Sequence, residues 1–443
     1  MHKVPGSPGD NRGVTSSPAS PLEYEESLEP VGLIAQSGAV IRTGQLMLES
    51  GTASYRVKQA MRTVARAVGI DNPRHQVSFT ELAATSHRGR IFRTEVAESK
   101  GLHVNADRIM RLDRFRRDLP AQLTPDDVHA ALDEIEAHGS LYPGWAYAVF
   151  SGMACAAFAV LNHALPLEVM VVFVAAFLGQ VARRLLAARH FSMFGTVLVA
   201  SAVASLTYLA GIALLNVTGE GLTTHAAGYI SSVLFLLPGF ALITGALDMA
   251  IIDLRAGIER IAYGTMMTMA AGVSVWGVSS LAGIDTAVRT DAGLPPWGHF
   301  LLVLVASFVG VYGFAALFNS PWRLALWASL IGAVANTARL FAVDQGMKVQ
   351  AATALACFAV GCLSTWVARG GRFPHITLSV PAVLVMIPGV AAHQALMDIN
   401  AGDYTSAIGG ILLVVLVVLA IMVGLVGAKL VTDPEWAFGR TQR

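Results

Sequence analysis

The segment LFLLPGFALITGALDM, Leu234–Met249, decides how the chain is read. It is apolar enough to lie in a bilayer, yet Pro238-Gly239 breaks it midway and Asp248 closes it. Proline inside a helix removes one backbone hydrogen bond and displaces the carbonyl a turn earlier. In lipid that carbonyl finds no water, so the break must face protein, solvent or a bound molecule. A carboxylate at the same depth is also costly and points to an ion or substrate path.

The rest of the chain agrees with a membrane setting. Of 443 residues, 54% are hydrophobic and 14% charged, with mean hydropathy +0.57; soluble domains carry about a quarter charged residues. A net charge of +1 argues against a nucleic-acid partner. Cys155, Cys357 and Cys362 lie in apolar runs without CxxC or Cys/His clustering, so they read as core residues, with no metal site and no disulfide framework. Without GxxxxGK[ST], HExxH or GxSxG, neither ATP-driven pumping nor membrane hydrolysis is indicated, and no enzyme activity or cofactor is expected. Residues 1–30 lack the apolar core of a signal peptide and read as a disordered Pro/Gly/Ser tail.

Two regions follow. Residues 31–142 are polar enough to fold in water. GQLMLESGTASYRVKQAMRTVARAVG has the spacing of an amphipathic helix or helix pair, and HQVSFTELAAT and GRIFRTEVAES read as a hairpin around SHRGR. TPDDVHAALDEIEAHG opens with Thr124 as N-cap, Pro125 in the first turn and Asp127 reaching back. This predicts a small α+β domain. From Trp145 onward, ten apolar stretches recur: 145–162, 166–182, 194–215, 227–250, 261–284, 298–318, 322–338, 350–368, 375–397 and 404–428. With the soluble domain cytoplasmic, the inner joints hold Arg183, Arg184, Arg189, Arg255, Arg260, Arg323, Arg369, Arg372 and Lys429, and the outer joints only Arg289, Arg339 and Lys348. That bias places both termini in the cytoplasm of a multi-pass inner-membrane protein.

The broken segment has a second copy. MIPGVAAHQALMD, Met386–Asp398, repeats Pro-Gly with an aspartate ten positions on, and the two prolines are 150 residues apart. FLGQVARRL (Phe177–Leu185) and LIGAVANTA (Leu330–Ala338) match more weakly at an offset of 153. The expected architecture is a mostly α, polytopic membrane protein built as an inverted 5+5 repeat, with units 143–290 and 291–432 and a cytoplasmic tail 433–443. An odd span count inverts the second unit, a hallmark of secondary transporters whose sites lie between the repeats.

An opened helix offers half-helix termini that suit a small zwitterion. The candidate binding residues are therefore Pro238, Gly239, Ser232 and Thr244 at the first break, Pro388, Gly389 and Gln394 at the second, and Asn336 on the seventh span. Asp248, Asp398 and His393 are candidate proton carriers. Each has a plainer reading: Pro-Gly as a packing kink, the aspartates as residues snorkelling to headgroups, His393 as a packed histidine, and the hydroxyls bonded to their own helices.

The blocks GQLMLESGTASYRVKQAMRTVARAVG, LDRFRRDL and LFLLPGFALITGALDM, together with the five-plus-five spans, resemble the bacterial threonine/serine exporters. The resemblance runs from about Leu33 to the last span, and the tail before Val31 departs from it. It implies a cytoplasmic domain ahead of ten spans, and export of L-threonine and L-serine driven by the proton motive force. Some relatives divide the repeats between two chains and are linked to dicarboxylate export. It carries over no binding residues. The partners expected are a small amino acid, protons, the lipid bilayer and a second copy of the chain. A membrane-anchored sensor without transport is the competing class.

Overall fold

The computed structural model describes residues 31–71, 73–88, 91–99, 103–215, 226–282 and 295–437. The N-terminal tail, the tip of the SHRGR turn, the expected repeat boundary near 290 and the end of the C-terminal tail lie outside these residues.

The soluble domain begins with α1 (Val31–Glu49) and α2 (Ser54–Ala67), the pair suggested by the spacing. They approach closely at Gly44, where a Cβ would come 2.6 Å from Met61 Sδ. The expected hairpin is a three-stranded antiparallel meander: β1 (Arg74–Val77), β2 (Glu81–Arg88) and β3 (Ile91–Glu98), in the order β1-β2-β3. The first strand folds back at Ser78, whose N–H donates to Glu81 O at 2.8 Å and whose hydroxyl accepts from Glu81 N at 3.0 Å. α1 covers the sheet, burying Leu33, Val40, Met61, Val64 and Leu82 with Leu112 of α3 (Ala106–Arg117) and Leu132 of α4 (Pro125–Ala137). The expected capping box of α4 forms between Thr124 and Asp127.

Among its described residues, the membrane region is built of helices joined by short connections. Eight helices among the described residues are long and apolar enough to cross a bilayer unbroken: α5 (Gly144–Leu161), α6 (Pro166–Ala188), α7 (Met193–Leu215), α10 (Leu254–Ala282), α11 (Pro296–Leu317), α12 (Trp322–Asp344), α13 (Val349–Ala368) and α16 (Tyr404–Thr432). Between α7 and α10 lie α8 (Ala226–Ser231), a 3-10 turn at Leu234–Leu236 and α9 (Gly239–Ala250), with a bend of 66° at the break. The expected ninth span is likewise two short helices, α14 (His375–Leu384) and α15 (Gly389–Asn400). A last turn of helix, α17, covers Pro434–Ala437.

Helix ends and loops recur at fixed offsets. α6 and α12 are each 23 residues long and start 156 residues apart, at Pro166 and Trp322. α7 and α13 repeat that offset, at Met193 and Val349. This corrects the offset of 153, which rested on Leu/Ala/Gly similarity, and aligns Gln180 with Asn336 and Arg183 with Arg339. The helices after the two breaks start 150 apart. Left-handed loop residues follow the same spacings: His163 with Asn319, His190 with Gly346, and Ile252 with Gly402.

Candidate functional site

The two breaks pack against each other, and the contact is reciprocal. A Cβ on Gly239 would come 2.2 Å from Leu384 Cδ2 and 3.3 Å from Ile387 Cδ1; one on Gly389 would come 2.7 Å from Leu234 Cδ2 and 4.0 Å from Leu237 Cδ1. Each glycine follows its proline directly, so the missing side chain leaves room for the opposite leucine where the helix has opened. α9 and α15 therefore both begin at this crossing, and the N-terminal partial charges of both helices are directed at it. Leu234 and Leu384 are buried and close the crossing with apolar side chains.

Asp248, ten residues beyond Pro238, is fully buried. It pairs with the equally buried Arg260 of α10, Nε to Oδ2 3.2 Å, and accepts the backbone N–H of Ser54 at 3.1 Å. Ser54 opens α2, whose N-cap position holds Ala53 and offers no side-chain acceptor, so Asp248 supplies that acceptor from the membrane region. Arg260 donates to Thr52 O at 2.8 Å and to Thr244 Oγ1 at 3.2 Å. Asp253 extends the contact by accepting from Ser54 Oγ and Lys58 Nζ, both at 2.6 Å. The carboxylate thus lies where the soluble domain meets α9 and α10.

Asp398 is only partly buried and accepts from Gln394 Nε2 at 3.1 Å, while Gln394 Oε1 is buried without a hydrogen-bond partner among the described residues. His393 lies on α15, with its side chain outside the described atoms. The two aspartates end their helices alike: Asp253 N donates to Asp248 O and Asp403 N to Asp398 O, each at 2.9 Å. Asn336 is fully buried, donates to Ser307 Oγ at 2.9 Å and accepts from Arg339 Nε at 2.9 Å. Arg339 forms no ion pair among the described residues. Ser232 donates to Tyr229 O at 2.7 Å and Thr244 to Phe240 O at 2.8 Å, so both hydroxyls are bonded to their own helices.

The crossing thus brings together Pro238, Gly239, Pro388 and Gly389, while Thr244 and Asp248 join the domain contact. Arg260 and Ser54 are the residues that sequence reasoning missed as partners of Asp248; the only available signal was an arginine at the rim of an apolar stretch. Among the described residues no group of three His, Cys, Asp or Glu side chains could hold a metal ion.

Comparison with known proteins agrees with a membrane transporter. A family model described as "Putative threonine/serine exporter" matches residues 39–282, and one described as "Threonine/Serine exporter, ThrE" matches residues 303–431. The chain is also 26% identical, over 237 residues, to the "Probable succinate transporter subunit YjjP" of Escherichia coli (strain K12); the match covers 53% of this chain and 90% of that protein. No solved structure matches.

Proposed function

Because the chain belongs to the threonine/serine exporter family, we propose that it exports L-threonine and L-serine across the bacterial inner membrane, driven by the proton motive force. The observation that carries this reading is the reciprocal contact of the two broken segments. It is the arrangement expected of an inverted 5+5 repeat that holds substrate at the interface of its halves. Substrate would enter between Gly239 and Gly389 once Leu234 and Leu384 part. Its carboxylate would meet the starts of α9 and α15, and Gln394 and Asn336 would contribute polar contacts. Proton exchange falls to Asp248 and Asp398, with His393 beside the latter. Protonating Asp248 would weaken its hold on both Arg260 and the start of α2, linking proton uptake to the soluble domain. With that domain cytoplasmic, both termini lie inside. A second copy could assemble alongside through the lipid-facing helices.

A second reading, export of a small dicarboxylate, is favoured by Arg339, a guanidinium in a membrane helix with no carboxylate partner among the described residues. The name of the Escherichia coli relative points the same way.

Proteoliposomes loaded with labelled threonine, serine or succinate and given an imposed pH gradient separate these readings. Gradient-dependent efflux of threonine and serine, abolished by an uncoupler, supports the first. Flux of succinate alone replaces it with the second, and no flux of any of the three removes both.

A further inference from the structure

A cleft of about 680 Å³ lies between the soluble domain and the start of α12. Arg114 of α3, Arg323 in the first turn of α12 and Arg372, just before α14, line it from three separate elements. None of the three forms an ion pair among the described residues, although neighbouring Arg116 and Arg117 both pair with Asp113. The remaining wall is apolar: Trp322, Trp327 and Leu330 line the same cleft and are 56%, 41% and 49% exposed. Arg323 also stacks on the Trp322 ring, 5.1 Å from its centroid.

We propose that this cleft binds one anionic glycerophospholipid of the leaflet on the soluble-domain side, the phosphate held by Arg114, Arg323 and Arg372 and an acyl chain lying along Trp327 and Leu330. Three guanidinium groups that form no ion pair among the described residues, in a cleft with no acidic lining residue, are complementary to a phosphodiester, which planar guanidinium holds bidentately. Tryptophan at the head of a span belongs at headgroup depth. From Arg323 to Leu330 the helix rises about 10 Å, the distance from a headgroup into the acyl region. Because Arg114 comes from the soluble domain and the others from the membrane region, the lipid would bridge the two, independently of what the transporter carries.

The test uses the full chain, delipidated in detergent, with phosphatidylglycerol, phosphatidylcholine or inorganic phosphate added and binding read by native mass spectrometry. Wild type should retain phosphatidylglycerol in preference to phosphatidylcholine. R114Q, R323Q and R372Q should each weaken that binding about fivefold and the triple variant roughly a hundredfold, whereas R189Q, an exposed arginine elsewhere on the chain, should leave it unchanged. A triple Arg-to-Lys variant keeps the charge but not the bidentate geometry and should bind between wild type and the triple Gln variant, which separates loss of charge from loss of fold. Undiminished phosphatidylglycerol binding in the triple Gln variant overturns the proposal, as does an equal loss in R189Q. Displacement of the lipid by inorganic phosphate overturns it too, by marking the cleft as a free-anion site.

Discussion

Asp248 on α9 accepts the backbone N–H of Ser54, the first residue of α2, although 194 positions separate them in the chain. A membrane carboxylate thereby completes the N-terminus of a helix in the soluble domain, while Arg260 balances its charge. Breaking one side of a buried pair costs about 3–5 kcal/mol, because the remaining charge stays buried and alone. Asp248→Asn should therefore lower the melting temperature and expose the junction after Gly51 to limited proteolysis wherever the wild-type carboxyl is ionised, with the difference shrinking at pH values where it is protonated. Combining it with Arg260→Met should recover part of the loss. If Asp248→Asn melts and digests like wild type while its transport loses pH dependence, the residue carries protons without bracing the domains.

The crossing of the breaks sets a steric limit. Gly239→Ala should destabilise the protein by about 1–3 kcal/mol, the usual range for overpacking. Adding Leu384→Ala removes the closest contact and leaves Ile387 Cδ1 at 3.3 Å, so the double variant should lose less than the sum of its two single variants. Gly389→Ala with Leu234→Ala should behave in the same way. Thermal unfolding of the four single variants and the two doubles is the measurement, and additive losses in the doubles would refute the contact.

Asn319 joins α11 to the soluble domain from a left-handed backbone conformation, φ +56°. Its side chain accepts from Leu141 N and Tyr147 Oη and donates to Asn105 Oδ1, all at 2.9 Å. Asn319→Gly loses those bonds but keeps the backbone comfortable, at a cost of roughly 2–3 kcal/mol. Asn319→Ala adds about 1–2 kcal/mol of backbone strain. Alanine should therefore unfold at the lower temperature, and the reverse order would contradict this account.

Tyr55 in the soluble domain predicts an alkaline effect. Burial alone would raise its pKa, but the charges of Lys429 and Arg56 bring it down to about 8. Its hydroxyl accepts from Lys429 Nζ at 2.6 Å. An acid ionising at lower pH when folded than when unfolded contributes stability above its unfolded pKa, and that contribution disappears as pH falls through the folded one. Wild type should thus gain thermal stability over Tyr55→Phe between about pH 8 and pH 10, with the gap closing below pH 8. A gap that stays constant over this range would count against the pairing.

Much of the membrane architecture was legible because its signals are local. Pro-Gly followed by aspartate marks both broken segments, and the capping box at Thr124 needs only four residues. The three-stranded sheet was missed because the turn at Ser78 is made by a serine hydroxyl, without glycine or proline to announce it. The partner of Asp248 was illegible for a different reason. Arg260 stands one position before an apolar run, so it counted as an ordinary flanking cation, and only packing across the fold brings Ser54 and Asp248 together. Likewise, the weaker of the two internal matches slipped by three residues because leucine, alanine and glycine align at many offsets, whereas the helix ends do not.

The mutual fit of Gly239 with Leu384 and of Gly389 with Leu234 resembles the two pans of a balance. If transport proceeds by rocking one half against the other, a substitution in one pan loads one side only, favouring one facing state at the expense of the other. The same substitution made in both pans restores the tie. The rate-limiting facing state of such a protein would then be set by small differences between near-copies, and a change of one or two methyl groups would shift the rate of turnover and exchange, while the gradients keep setting the net direction.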